Sequence, residues 1–173
     1  RKRKKPGCLE RLAALFGQKS GHLSETDRSL FIERIETLEK RAMHLWAESE
    51  GWMHQIANEF LSLEQPVFRL LPDFHSNPQW TKILLPMLKK IGRSLRLAAE
   101  EADQIQQLLS GLPEEATSNS PQPMLDLKRA RRRLDAHGAF FSNFMRFSDT
   151  QDEDSPWTFW IDTASGINKD PTG

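Results

Sequence analysis

The sequence predicts an all-α protein: an elongated, coiled-coil-like antiparallel three-helix bundle with a short N-terminal amphipathic helix and a mostly irregular acidic and aromatic tail. Three observations predict it. Apolar residues recur in alternating steps of three and four along three long segments, the spacing that lines up one face of a helix. Prolines and glycines fall between those segments, where a helix has to stop. No strand-type alternation of useful length interrupts the pattern, and no repeat recurs at a period of about 20–50 residues.

The short helix spans residues 8–16. Leu9, Leu12, Ala13 and Phe16 share one face, and Gly17 and Gly21 close it. The first long helix is expected from about Ser24 to Glu64, with Ser24 as N-cap and acidic residues in the first turn, where the helix dipole favours them. Its seam is Phe31, Ile35, Leu38, Ala42, Leu45, Ser49, Trp52 and Ile56, and Ile32, Trp46, Met53, Phe60 and Leu61 widen that face as a bundle needs. Pro66 ends or kinks this helix. Residues 66–77 read as a corner with Phe68, Leu70, Leu71 and Phe74 beneath it.

Asn77-Pro78 is an N-cap followed by proline at the first helical position, so the second helix starts there and runs to Ser110. Its seam is Trp80, Leu84, Met87, Ile91, Leu95 (or Ser94), Ala98, Ala102, Ile105 and Leu109. Pro86 removes a backbone donor inside it and predicts a kink near residues 82–86. Gly111 and Pro113 stop the helix, and residues 113–123 form a polar linker. The third helix is expected from about Pro123 to Phe147, with Leu127, Ala130, Leu134, His137, Phe141 and Phe144 on its seam and Gly138 allowing close approach. His137 reads as a hydrogen-bonded core histidine.

Domain organisation follows: a basic arm with the short helix over residues 1–21, the bundle over 22–148 and the tail over 149–173. The chain of 173 residues has a formal net charge of zero, but the charge is uneven. Residues 1–21 hold seven cations and one anion, residues 22–76 hold five cations and ten anions, and the tail holds one cation and six anions. A single cysteine, Cys8, excludes an intrachain disulfide framework and a cysteine-rich zinc site. No stretch approaches the roughly 18 apolar residues of a membrane span, and no signal peptide follows the basic start. The first residue is Arg1, which suggests a piece of a longer chain.

No glycine-rich phosphate loop, His-Glu-x-x-His or nucleophile elbow is present, so the reading names no catalytic residue, metal ligand, cofactor or small-molecule substrate. Glu50 with His54 and His44 with Glu48 share helix faces, but di-metal bundles need Glu-x-x-His pairs, which are absent. Arg1, Lys2, Arg3, Lys4 and Lys5, followed by Leu9, Leu12 and Phe16 on an amphipathic helix, have the character of a juxtamembrane segment that binds an anionic surface. Cys8 lies where an acylated cysteine would, and its basic surroundings predict a lowered thiol pKa.

Lys128, Arg129, Arg131, Arg132 and Arg133 form a basic stripe around the third seam. Matching charges with the acidic first helix is favoured over nucleic acid at this neutral overall charge. Trp157, Phe159 and Trp160 form an aromatic cluster that either packs on its own bundle or docks on a partner. The functional expectation is a non-catalytic helical scaffold or protein–protein interaction domain, cytoplasmic and membrane-proximal, with a protein partner or self-association and an anionic membrane surface as contacts. The alternative is a nucleic-acid-binding module using Lys128–Arg133.

Overall fold

The computed structural model describes residues 6–18, 23–61, 67–70, 72–114, 121–146 and 159–162. They are mostly helical, and the packing of the helices is that of a bundle. Among the described residues the α-helices are, in chain order, α1 (Cys8–Phe16), α2 (Glu25–Phe60), α3 (Leu85–Ser110) and α4 (Pro121–Met145). Between α2 and α3 lie a short strand, β1 (Val67–Leu70), a 3-10 turn (Pro72–Ser76) and a π turn (Trp80–Leu84). A second strand, β2 (Phe159–Asp162), follows α4.

The helix starts follow the expected chemistry. Ser24 Oγ accepts from the Asp27 amide at 3.1 Å and donates to the Asp27 carboxylate at 2.7 Å, so the first turn of α2 is closed by its own side chains. Asn77 Oδ1 accepts from the Gln79 amide at 2.8 Å. The Gly7 amide donates to Glu10 at 2.8 Å, the reciprocal half of a capping box at the start of α1. Pro86 acts as its chemistry demands. It has no N–H for the preceding turn, and the chain widens just before it into the π turn, where the Leu85 amide donates to the Trp80 carbonyl.

The chain divides into two compact units, Arg1–Trp46 with Ile91–Ala139 and Ala47–Lys90 with Phe140–Gly173. The core of the first joins all four helices. Leu12 and Phe16 of α1, Phe31, Ile35 and Leu38 of α2, Ala98, Ala102, Ile105 and Leu109 of α3, and Leu127 of α4 are buried together. Phe31 is fully buried and meets the Phe16 ring edge-on with centroids 6.1 Å apart, a preferred geometry for the aromatic quadrupole. Alanines at 98 and 102 keep α3 thin where α2 crosses it.

The second unit closes around Phe60, Leu70, Phe74, Trp80, Leu84, Leu88 and Phe144. Phe60, Phe68 and Phe74 stack mutually at tilted or edge-on angles with centroids 5.3–6.0 Å apart. β1 and β2 pair antiparallel, with Phe68 opposite Ile161 and Leu70 opposite Phe159, and Ile161 packs against the cluster. Residues 67–70 are therefore a strand where the sequence reading has an irregular corner. Four residues are too few to show alternation, and the partner strand lies some ninety positions along the chain.

The second helical seam is buried throughout, from Trp80 to Leu109. The other two are not. Ala42 is exposed on α2, and Ile32, Trp46 and Met53 face solvent instead of widening the core. On α4, Ala130 and His137 are exposed, which corrects the expectation of a core histidine. A Cβ at Gly138 would meet nothing within 4 Å, so that glycine serves no close approach.

Removing the Phe31 ring leaves a cavity against Phe16 that rigid neighbouring helices cannot fill. Phe31→Ala is expected to cost about 3–5 kcal/mol, read as a lowered melting temperature by calorimetry.

Candidate functional site

In the first unit the helices are tied by a polar layer outside the apolar core. Glu101 of α3 is buried, and its two carboxylate oxygens take Arg34 Nη1 at 3.0 Å and Arg41 Nη2 at 3.3 Å. The arginines lie seven residues apart on α2, two turns along one face, so a single carboxylate fixes the register of α3 against α2. Each arginine side chain is about a third exposed, yet Arg41 Nε is buried without a hydrogen-bond partner, so the anion is fully engaged while one of its cations is not. Arg131 of α4 reaches Asp103 of α3 at 3.2 Å and Asp135 of its own helix at 3.5 Å. Arg11 of α1 reaches Asp126 of α4 at 2.7 Å.

These contacts correct the expected charge match. The basic stripe of α4 pairs through Arg131 with α3, not with acidic α2. Arg129 makes only a long contact to Asp126, 3.6 Å away and one turn back. Lys128, Arg132 and Arg133 are exposed, and among the described residues they form no ion pair.

The N-terminal candidates divide. Arg1, Lys2, Arg3, Lys4 and Lys5 lie outside the described residues. Leu12 and Phe16 are buried at 0% and 3% exposure, and Leu9 packs against the same core. The apolar face of α1 is thus covered by its own bundle, a correction to its assignment as a lipid-binding face; Leu15 is the large apolar residue α1 leaves exposed. Cys8 is half-buried, and its thiol donates to the Pro123 carbonyl at 3.2 Å. Burial, followed by the Asp126 carboxylate, pushes the thiol pKa up against the opposing pull of Arg11. The direction is opposite to the expected lowering because burial and the Asp126 carboxylate outweigh Arg11.

Of the aromatic cluster, Phe159 and Trp160 lie in β2, opposite Leu70 and Arg69; Trp157 lies outside the described residues. No group of three or more His, Cys, Asp or Glu among the described residues is placed to hold a metal ion. Nor is any described helix long and apolar enough to cross a membrane. An open groove of about 400 Å³ between α3 and α4 is floored by Leu109 and Leu127 and edged by Gln106, Met124, Leu125 and Lys128.

The outer face of α2 is the feature that sequence reading missed. Met43 and Trp46 are 73% and 71% exposed, one turn apart. They belong to a second stripe, Ile32, Glu36, Glu39, Met43 and Trp46, which repeats the core seam's steps displaced by one residue. Its glutamates were the available signal: a core-facing stripe does not carry two carboxylates without partners. In the second unit, Lys90 pairs with Glu48 and lies over the Trp52 ring, 5.4 Å from its centroid, which binds α3 to α2 there by charge and π-face together.

Compared with protein-family models, with curated proteins and with solved structures, the chain matches none.

Two expectations follow from the polar layer. Asp126 is held below the ordinary carboxylate range, chiefly by the hydrogen bond from Arg11. A depressed folded-state pKa contributes stability above the ordinary carboxylate pKa and loses it as pH falls through the folded value. The stability advantage of the wild type over Asp126→Asn should therefore be present at neutral pH and vanish in strong acid, as measured by thermal denaturation across pH. The thiol of Cys8 should react with a maleimide more slowly in the native protein than in denaturant, measured at one pH by mass spectrometry.

Proposed function

We propose that this chain is a non-catalytic protein–protein interaction domain, an antiparallel three-helix bundle of α2, α3 and α4 that presents the outer face of α2 to a partner. The exposure of Met43 and Trp46 carries this reading. A tryptophan and a methionine side by side in water cost solvation without contributing to the core, and tryptophan is the residue type most enriched at the energetic centres of interfaces. The polar tie through Glu101 supports it, because it holds α2, the presenting helix, against α3 through Arg34 and Arg41 rather than through Met43 or Trp46.

The reading extends to a membrane-proximal, cytoplasmic setting through Arg1–Lys5, a run suited to an anionic surface. Leu12 and Phe16 take no part in it. A second reading, nucleic-acid binding, is favoured by one observation, the exposure of Lys128, Arg129, Arg132 and Arg133 on one helix; its signature is affinity that falls steeply with salt.

The double substitution Met43→Ser with Trp46→Ser tests the leading reading. Stability should change by no more than about 0.5 kcal/mol, as for exposed sites. A photo-crosslinking residue at position 43 should give discrete adducts in cells, and Trp46→Ser should abolish them. A large loss of stability, or no adduct at all, would show that this face serves the fold alone.

A further inference from the structure

We propose that the acidic and apolar face of α2 receives the basic face of α4 from a second copy of this chain. The inference rests on the interaction-domain reading and names its partner.

The two faces are complementary in pattern. On α2 the stripe Ile32, Glu36, Glu39, Met43 and Trp46 advances in steps of four and three, the spacing that lets one helix lie along another. On α4 the exposed positions Leu125, Arg129, Arg132 and Ala136 advance in the same steps, flanked by exposed Lys128 and Arg133. At about 1.5 Å per residue, the stripes run to about 21 Å and 17 Å, closely matched lengths. Each carries apolar contact surface, with Leu125 45% exposed and Met43 and Trp46 more so.

Charge selects the pairing. Laying α2 against α2 of another copy brings Glu36 and Glu39 into a shared seam of carboxylates, and laying α4 against α4 brings arginines together. Like-charge juxtaposition of this kind disfavours both same-helix pairings. Only the crossed arrangement sets carboxylate against guanidinium, which can bind it bidentately. Among the described residues, Glu36, Glu39, Lys128, Arg132 and Arg133 form no ion pair within the chain. Arg129 has only the long contact to an Asp126 already engaged by Arg11 and Gln122. Arg131, committed to Asp103, is the member of the basic run that the arrangement does not need. Every copy carries both faces, so the association either closes reciprocally or extends head to tail.

Sedimentation velocity of the full chain over a concentration series, at low and high salt, tests this. The wild type should associate, less so at high salt. Glu36→Lys with Glu39→Lys should weaken association by about tenfold or more, as should Arg129→Glu with Arg132→Glu and Arg133→Glu. Mixing the two charge-reversed proteins should restore a mixed complex, a readout that misfolding of either would abolish; Met43→Ser, which leaves the charges in place, should weaken association as well. A monomeric wild type at low salt, or reversed proteins that associate as the wild type does or fail to join each other while both remain folded, would overturn the proposal. If the wild type is monomeric yet a crosslinker at position 43 still captures a different protein, the second copy is excluded and the interaction-domain reading stands. If neither occurs, both fall. Binding of duplex DNA by the wild type, lost on reversing α4 and unaffected by reversing α2, would assign the basic face to nucleic acid instead.

Discussion

Burial of one narrow face of α3 is the contact on which the first unit depends. Ala98, Ala102, Ile105 and Leu109 are almost without exposure, and α1, α2 and α4 all deliver side chains to them. The alanines contribute little apolar area themselves. Their small size brings Phe31, Ile35 and Leu38 close enough to exclude water, and that exclusion supplies the gain, about 1.5–3 kcal/mol for each large side chain fully buried. A larger residue at 98 or 102 would separate the helices and undo the burial of several partners at once.

The polar layer follows from that geometry. Once α2 lies against the alanine face, Arg34 and Arg41 flank position 101, and a carboxylate there is stabilised by two cations whose side chains are each about a third exposed. Glu100, one residue earlier, points outward and makes only a loose pair with Arg96. Apolar contact is nondirectional and tolerates sliding; a two-pronged salt bridge does not. Burial therefore brings the helices together, while Glu101, Asp103 and Asp126 set where along one another they stop.

The same division separates faces that build the fold from faces left in solvent. α1 is amphipathic, but its apolar side is consumed by the core, so the sequence property that suggests lipid binding is spent on folding. α2 has the opposite character. Its low average hydrophobicity conceals two stripes one residue apart, one buried and one carrying Met43 and Trp46 into solvent between acidic residues. On the proposed reading, an aromatic side chain held outward on a helix tied to α3 through Arg34, Arg41 and Glu101 would need little further ordering on contact.

By itself the sequence determined the long helices, the caps at Ser24 and Asn77, the stop after Ser110 and nearly all of the buried seam from Trp80 to Leu109, because local periodicity and end chemistry are properties of neighbouring residues; it placed the end of α2 near Glu64, whereas the helix stops at Phe60. Pro86 likewise announced its disturbance in advance. It could not determine that Ile32, Trp46 and Met53 stay in solvent instead of widening the core of α2, that Glu101 rather than Glu100 is the buried acid, that Cys8 meets the Pro123 carbonyl and the Asp126 charge, or that residues 67–70 pair with 159–162. Those outcomes rest on contacts between residues distant in the chain, and only the tertiary structure decides which distant group each side chain meets.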